Sequence, residues 1–391
     1  MIYADYNATS PVSEQVVREM EPFVLRNFGN ASRVSGEMPT EARLAIEAAR
    51  RKVAELVDAD PAEVVFVSGG TESCNHAILG AVADRPQRRR LIYSNVEHPA
   101  VRETAIFAAG PLIGRTADEL PIADIASSIC GHTSVVSSML ANNEVGQIYD
   151  LSSIVVAARG AGATVHTDAT QAVGRIPVSF RTLGVDLLSF SGHKLGGPKG
   201  IGVLVVRKDA DWQPVARGGG QEGGRRGGTQ AVSLIVGLGE AAGLALARLR
   251  GGESERLAEI RNTFEQSLAA EFPQAHVIAS NERRLPNTSA VTLPGVLAQD
   301  LVEELARKEV YISSGAACRS ETAEPSRVLL ALGLSTAQAL STIRVSFGTD
   351  STMEDAQGLA SLIAAHSSAS RLEVEQSLLL KRKSDSYDEH V

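Results

Sequence analysis

The chain has 391 residues, 43% of them hydrophobic and 21% charged, and 38 Lys+Arg against 46 Asp+Glu leave a formal net charge of −8. This is ordinary globular composition, and the length suits a large domain plus a smaller one. The acidic balance argues against direct nucleic-acid binding, no apolar run approaches the roughly 20 residues of a membrane span, and residues 1–11 lack the basic and apolar segments of a secretory signal.

Residues 1–12 are extended and turn-rich. Ser13 reads as an N-cap, with Glu14 in the first turn of a helix to about residue 25. The loop Phe28-Gly29-Asn30-Ala31-Ser32 leads to an amphipathic helix over 40–57, carried by Leu44, Ile46, Val53, Leu56 and Val57. Strand and helix then alternate: 63–67 and 71–82, 91–94 and 99–108, 134–140 and 151–160, with further strands at 164–166, 186–190 and 201–206. That alternation predicts an α/β domain with a largely parallel sheet. Parallel strands are buried on both faces, which accounts for their near-continuous apolar runs. Arg88-Arg89-Arg90 after Pro86 reads as a solvated loop rather than a phosphate patch.

The segment 217–229, RGGGQEGGRRGGT, reads as a flexible loop. An Ala/Leu-rich helix over 231–250 follows and continues, after Gly251-Gly252, into 253–272. The remainder mixes strands at 276–279, 289–293 and 344–347 with helices at 299–308, 325–332 and 353–365, an α+β module. The expected division is a large domain over 13–255, a small domain from 1–12 and 256–375, and a polar tail over 376–391 that is expected to be mobile.

Open α/β sheets place ligands at the carboxyl ends of their strands. There the sequence sets Ser68-Gly69-Gly70-Thr71-Glu72-Ser73, then Glu97-His98-Pro99, Asn142-Asn143-Glu144, Asp168-Ala169-Thr170-Gln171, and last Ser191-Gly192-His193-Lys194. Each has a plain alternative: an N-cap at Gly69-Gly70-Thr71, a capped turn at His98, turn formers at Asn142-Asn143, a helix cap at Asp168, a solvated Gln171, a surface lysine at a strand end. Together they supply a phosphate cradle, a flat ring partner, amide donors, a carboxylate and an amine on one sheet edge. Pyridoxal phosphate (PLP) asks for that set.

In this order GGTES, EHPAV, NNEVGQ, HTDATQAVG, SFSGHKLGGPKGIG, GGGQEGGRRGGT and SSGAACRSETAEPSRVL resemble the cysteine desulfurases of the NifS/IscS type, over nearly the whole chain from Tyr3 to about Gly348. The resemblance implies an aspartate-aminotransferase-like (fold type I) PLP enzyme, with a mainly parallel seven-stranded sheet in the large domain, a small α+β domain, and a homodimer. It implies that Lys194 is the Schiff-base lysine, that Asp168 pairs with the pyridine nitrogen, and that His98 stacks on the ring and moves protons. Gly70, Thr71, Ser191 and His193 hold the phosphate, and Thr229 reaches that of the other subunit. Asn143 and Gln171 contact the ring's O3′ side, and Asn143 with Arg344 takes the substrate carboxylate.

The cysteines Cys74, Cys130 and Cys318 lie far apart without a CxxC, so no disulfide framework is expected and a reducing cytoplasm fits best. Cys318 matches the catalytic cysteine, and its small, polar neighbours suit a reactive thiolate, with Arg319 lowering its pKa. Cys130, between apolar Ile129 and Val135, reads as structural. Cys74 lies in the first turn of a helix, which favours thiolate, with an incidental place there as the alternative. The sequence departs from the family at Ser35 and Met38, where a histidine and a glycine are usual, and at Gly227 and Ala316, where serines are usual.

The implied reaction converts L-cysteine to L-alanine: Lys194 takes the Cα proton, and Cys318 thiolate attacks the substrate sulfur to leave a persulfide for a protein acceptor. Iron–sulfur cluster assembly, tRNA thiolation and DNA sulfur modification are the pathways open to it. The alternatives are another PLP lyase acting on cysteine, selenocysteine or cystine, and a non-catalytic sulfur-transfer scaffold. No metal site is expected.

Overall fold

In the computed structural model, which describes residues 1–110, 114–314 and 324–368, the early apolar runs pair into one seven-stranded sheet. From edge to edge its strands are Val64–Val67, Gly202–Val206, Leu187–Ser191, Thr164–Asp168, Thr133–Ser137, Arg90–Ser94 and Thr116–Leu120. All run parallel except Gly202–Val206, which is antiparallel to both neighbours. Helices cover the faces, and the central strands are buried from end to end. The edge strand Thr116–Leu120, sequence TADEL, has no expectation behind it. It carries little apolar pattern and is defined by its pairing with Arg90–Ser94, reinforced by an Arg90–Asp118 ion pair at 2.5 Å.

The chain divides into two units. The larger comprises Asn7–Asn143 and Gln147–Ser254; the other comprises Met1–Tyr6, Glu144–Gly146 and the described residues from Glu255 onward. The sequence reading does not detach Glu144–Gly146 from the large domain. Those residues belong with the smaller unit because Val145 packs with Ala290, Leu329 and Ala339. Leu285 N–H also donates to Gly146 O at 2.7 Å. Gly146 has φ +75°, and a Cβ there would lie 2.8 Å from Thr288 Cβ, so glycine is required.

Within the smaller unit Ser313–Ser314, Thr342–Ser346, Thr288–Thr292 and His276–Val277 form a four-stranded antiparallel sheet. Its core gathers Phe264, Leu268, Leu301, Ile343, Val345 and Phe347, with Phe264 and Phe347 edge to face at 5.9 Å.

One expectation about membranes needs correcting. The helix Val232–Arg250 is long and apolar enough to cross a bilayer by length and composition. Its small residues serve packing: at Gly239 an added Cβ would lie 2.5 Å from Ala49 Cα on the helix Glu37–Leu56, so the two backbones touch.

The Gly-rich segment 217–229 is not a loose loop. Glu222 is buried in a left-handed conformation, φ 51°. Its carboxylate accepts from Arg50 Nη1 at 2.7 Å and Nη2 at 3.1 Å, from Phe66 N–H at 3.0 Å and from Gln230 Nε2 at 2.5 Å. Arg50 also lies over the Phe66 ring, 4.8 Å from its centroid. Burial opposes both charges, but their mutual hydrogen bonds outweigh it: the Glu222 carboxyl is held below its usual pKa and Arg50 above its own. The Glu222→Ala protein, with Arg50 left buried and unpaired, is expected to lose about 3–5 kcal/mol of stability. Denaturant unfolding measures it, and a loss under about 1 kcal/mol would mean that the latch is unimportant.

Candidate active site

The strand Leu187–Ser191 ends in a single 3-10 turn, Gly192–Lys194. Gly192 is enclosed, since a Cβ there would meet Ile201 and Leu238 at 3.1 Å. Lys194 Nζ donates to Asn7 O at 2.5 Å and to Ala8 O at 2.6 Å. Asn7 gathers further groups: its carbonyl accepts from Gln171 Nε2 at 3.1 Å, and its Nδ2 donates to Asn143 O at 3.1 Å. Lys194, Gln171 and Asn143 thus meet on one residue that has no role in the sequence reading. Its signal there is faint, an asparagine in a turn-rich start, and only its burial gives it away. His193 Nδ1 lies 3.1 Å from Thr9 Oγ1. Burial first, then the charges of Lys194, Lys199 and Arg175, push its pKa down to about 4, so the ring is neutral.

The strand Val64–Val67 runs into the helix Gly70–Asp84, whose N-cap Gly69 is extended (φ 163°) and offers no side chain to the first turn. With Gly69 as N-cap and no side-chain cap, the helix N-terminus keeps its amide donors and positive dipole end for an anion. A Cβ on Gly70 would stand 3.4 Å from both Ser191 Cβ and Thr170 Oγ1, so Gly70 and Ser191 face one another. Thr71 is exposed on the same first turn. Thr229 is exposed too, and with Ser68, Gly200 and Arg226 it lines a hollow of about 180 Å³. Arg226 ties this loop to the helix through a two-pronged bond to Glu72, at 2.9 and 3.2 Å. Burial opposes the Glu72 charge, yet the Arg226 and Ser68 hydrogen bonds lower its pKa to about 2.

The cradle depends on Gly202. An added Cβ would lie 2.6–2.9 Å from Gly69 C, Cα and O, all backbone. Gly202→Ala is expected to push the helix N-terminus outward and, on the expectation that this cradle takes the PLP phosphate, to weaken PLP binding at least about tenfold, for a strain of about 1–3 kcal/mol. Titration of the cofactor-free protein with PLP measures this, and unchanged affinity would show that the close approach is dispensable.

Asp168 closes the strand Thr164–Asp168 and is buried. Oδ1 accepts from Thr170 N–H at 2.9 Å, and Oδ2 faces Cys74 Sγ at 3.8 Å. Two residues earlier His166 is wholly buried between Ser137 Oγ at 2.8 Å and Ser189 Oγ at 2.9 Å. Burial depresses its pKa to about 4, the Asp168 charge opposing. His98 caps the helix Pro99–Ala108, its Nδ1 accepting from Ala100 N–H at 3.1 Å. That bond leaves the proton on Nε2. Burial first, with Lys194 adding to it and Asp168 opposing, lowers the His98 pKa, so the ring is neutral.

The structure decides between the two readings of Cys74 and corrects that of Cys130. Cys74 is fully buried, and burial, then the Asp168 and Glu97 charges, raises its pKa well above the usual thiol value. The thiol stays protonated because desolvation outweighs the helix dipole. Cys130 is half-exposed rather than apolar, with Sγ 3.8 Å from both Arg90 Nη1 and Thr133 Oγ1. The His132 backbone, Thr133 and Arg90 lower its pKa.

In the smaller unit Arg344 pairs with Asp5 at 2.6 Å. Nearby Glu144 accepts from Ser326 Oγ, and burial, partly offset by that bond and by Arg344, raises its pKa. Cys318 and Ala316 lie outside the described residues, as does the tail from 369. Gly227 has a local account: a Cβ there would lie 2.6 Å from Gly218 Cα and N, so the strands of the loop touch where the family carries a serine. Ser35 and Met38 are both exposed.

The sequence profile of the aminotransferase class-V family matches residues 2–359. A cysteine desulfurase of Cereibacter sphaeroides is 39% identical over 355 residues, covering 88% of this chain and 90% of the relative. A solved NifS-like protein superposes with TM-score 0.86 at 32% identity, covering 94% of this chain and 99% of its own. SspA, solved in complex with cysteine, does so with TM-score 0.77 at 32% identity, covering 89% and 99%.

Proposed function

The chain belongs to the aminotransferase class-V family and is a cysteine desulfurase, and we propose that it takes sulfur from free L-cysteine as a persulfide on Cys318, releasing L-alanine. The observation that carries this is the convergence, on one sheet edge, of an uncapped helix N-terminus, the buried Asp168 carboxylate, a neutral His98 ring and the Lys194 amine. The relative solved with cysteine supports the substrate.

These residues fit PLP. The Gly70–Thr71 amides with Ser191 and His193 would hold the phosphate, and Thr229 would reach that of a second copy in a homodimer. Asp168 would face the ring nitrogen, His98 the ring, and Asn143 and Gln171 the O3′ side. When bound, the cofactor supplies a carbonyl for the substrate amine and an electron sink for Cα. Asp168, buried and hydrogen-bonded to Thr170 N–H, holds a proton on the ring nitrogen. Lys194 reaches over from the backbone carbonyls of Asn7 and Ala8 and removes the Cα proton. His98, neutral with its proton on Nε2, donates and recovers a proton at the substrate. Arg344 with Asn143 takes the substrate carboxylate. Cys318 thiolate attacks the substrate sulfur: an S–S bond forms, the Cβ–S bond breaks, and its electron pair returns to the substrate carbon skeleton.

The acceptor is a protein thiol of an iron–sulfur, thiolation or DNA-modification pathway, and the enzyme works in the cytoplasm as a homodimer. The test is product analysis with L-cysteine and a reductant. Alanine equal to released sulfide supports the reading. Pyruvate and ammonia with the sulfide would identify a lyase instead, and a purified protein that binds no PLP would identify a scaffold.

A further inference from the structure

Beside His98 lies a buried carboxyl group that the reaction above does not use. Glu97 Oε1 accepts from Ser94 Oγ at 2.8 Å and from Met139 N–H at 2.7 Å. Its other oxygen, Oε2, is also buried and has no hydrogen-bond partner among the described residues. A carboxylate there would keep charge on an oxygen that no donor reaches, which is costly away from water. The surroundings supply little relief. Asp168 faces it from the strand Thr164–Asp168 with charge of the same sign, Cys74 faces it from the helix Gly70–Asp84 as a protonated thiol, and the adjacent His98 is neutral.

The bonds of Glu97 join two strand exits. Ser94 ends the strand Arg90–Ser94, and Met139 follows the strand Thr133–Ser137. Asn142 Nδ2 adds a second tie, to Val96 O at 3.2 Å. One residue on, Asn143 O accepts from Asn7, whose own carbonyl receives Lys194 and Gln171. The position of Glu97 is thereby passed to His98 in one direction and to Asn143 and Lys194 in the other.

The geometry points to Glu97 as a positioning residue held as a neutral carboxylic acid, which pins these two strand exits together and so sets where His98 and Asn143 stand toward the cofactor. The protonation state stands on the fold alone; the consequence for the cofactor rests on the PLP site proposed above. Burial first, and the Asp168 charge second, push the Glu97 pKa up to about 8. The folded protein holds this proton through neutral pH; ionisation on passing about pH 8 strengthens the bonds accepted from Ser94 and Met139 but puts a second negative charge beside Asp168, and that repulsion strains the tie.

Glu97→Gln keeps an oxygen to accept from Ser94 and Met139 and cannot ionise. Infrared spectra of the full-length holoenzyme are expected to show a protonated-carboxyl carbonyl band at about pH 7 that is missing from Glu97→Gln and bleaches in the wild type by about pH 9.5. PLP affinity is expected to fall about tenfold more in the wild type than in Glu97→Gln between about pH 7 and pH 9. Absence of the band at pH 7 would overturn the neutral acid, and parallel affinity curves would overturn the positioning role. Should Glu97→Gln not fold, wild-type protein carrying carbon-13-labelled glutamate reads the same titration by the shift of that band, and an unshifted spectrum overturns the proposal. Failure of the PLP reading itself would appear differently, as wild-type protein that binds no PLP at any pH while the carboxyl band still titrates.

Discussion

The Lys194→Ala protein is expected to turn over L-cysteine at least about a thousandfold more slowly than the wild type and to lose the visible absorbance of the PLP-loaded protein. The reason is positional. Lys194 follows the strand Leu187–Ser191 by one tight turn, and Gly192 is walled by Ile201 and Leu238, so the turn has one shape available. The ammonium rests on the carbonyls of Asn7 and Ala8, and its charge helps keep the His98 ring neutral. No other described lysine has this setting: Lys199, close by in sequence, is exposed. Phosphate, ring and carboxylate contacts do not involve the alanine position, so the variant keeps affinity for PLP while losing the proton transfer at Cα. Retention of activity within about tenfold would mean that another base does the work.

Cys318→Ala is expected to leave PLP binding intact and to cut sulfur transfer to an acceptor by about a hundredfold or more. The other two thiols cannot substitute. Cys74 is enclosed beside Asp168 and stays protonated. Cys130 has its pKa lowered by the His132 backbone, Thr133 and Arg90. It precedes the strand Thr133–Ser137, however, whereas Asp168 and Lys194 stand at the far, carboxyl ends of strands parallel to it. The length of the sheet separates that thiol from the site. Cys130→Ala is the matched control, with activity within about twofold of the wild type. Loss of transfer in Cys130→Ala but not in Cys318→Ala would reverse the assignment.

What the sequence makes legible follows from local chemistry. Buried parallel strands announce themselves by apolar runs, and the groups placed just after them, Gly70, His98, Asp168 and Lys194, come together on one sheet edge because the strands are parallel. The strand Thr116–Leu120 stays hidden because an edge strand with one covered face needs little apolar pattern. The Gly-rich segment reads as flexible because glycine dominates it, while one distant partner, Arg50, fixes it through Glu222. Protonation states are the least legible of all. Cys74 at a helix start and Cys130 between apolar residues suggest a thiolate and an inert thiol; burial keeps the first protonated, while hydrogen bonds from the His132 backbone, Thr133 and Arg90 lower the pKa of the second. Glu97 and Asn7 escape notice for a related reason. Their importance lies in bonds to residues 42 and 187 positions away, which no local pattern encodes.

The central claim is that sulfur passes from L-cysteine to Cys318. Its most direct measurement is the mass of the Cys318 peptide after a single turnover of the PLP-loaded protein with L-cysteine and no reductant. A gain of one sulfur atom on that peptide, matched by one alanine per site and absent from Cys318→Ala and Lys194→Ala, is the predicted result. An unmodified Cys318 peptide alongside free sulfide and pyruvate would contradict it.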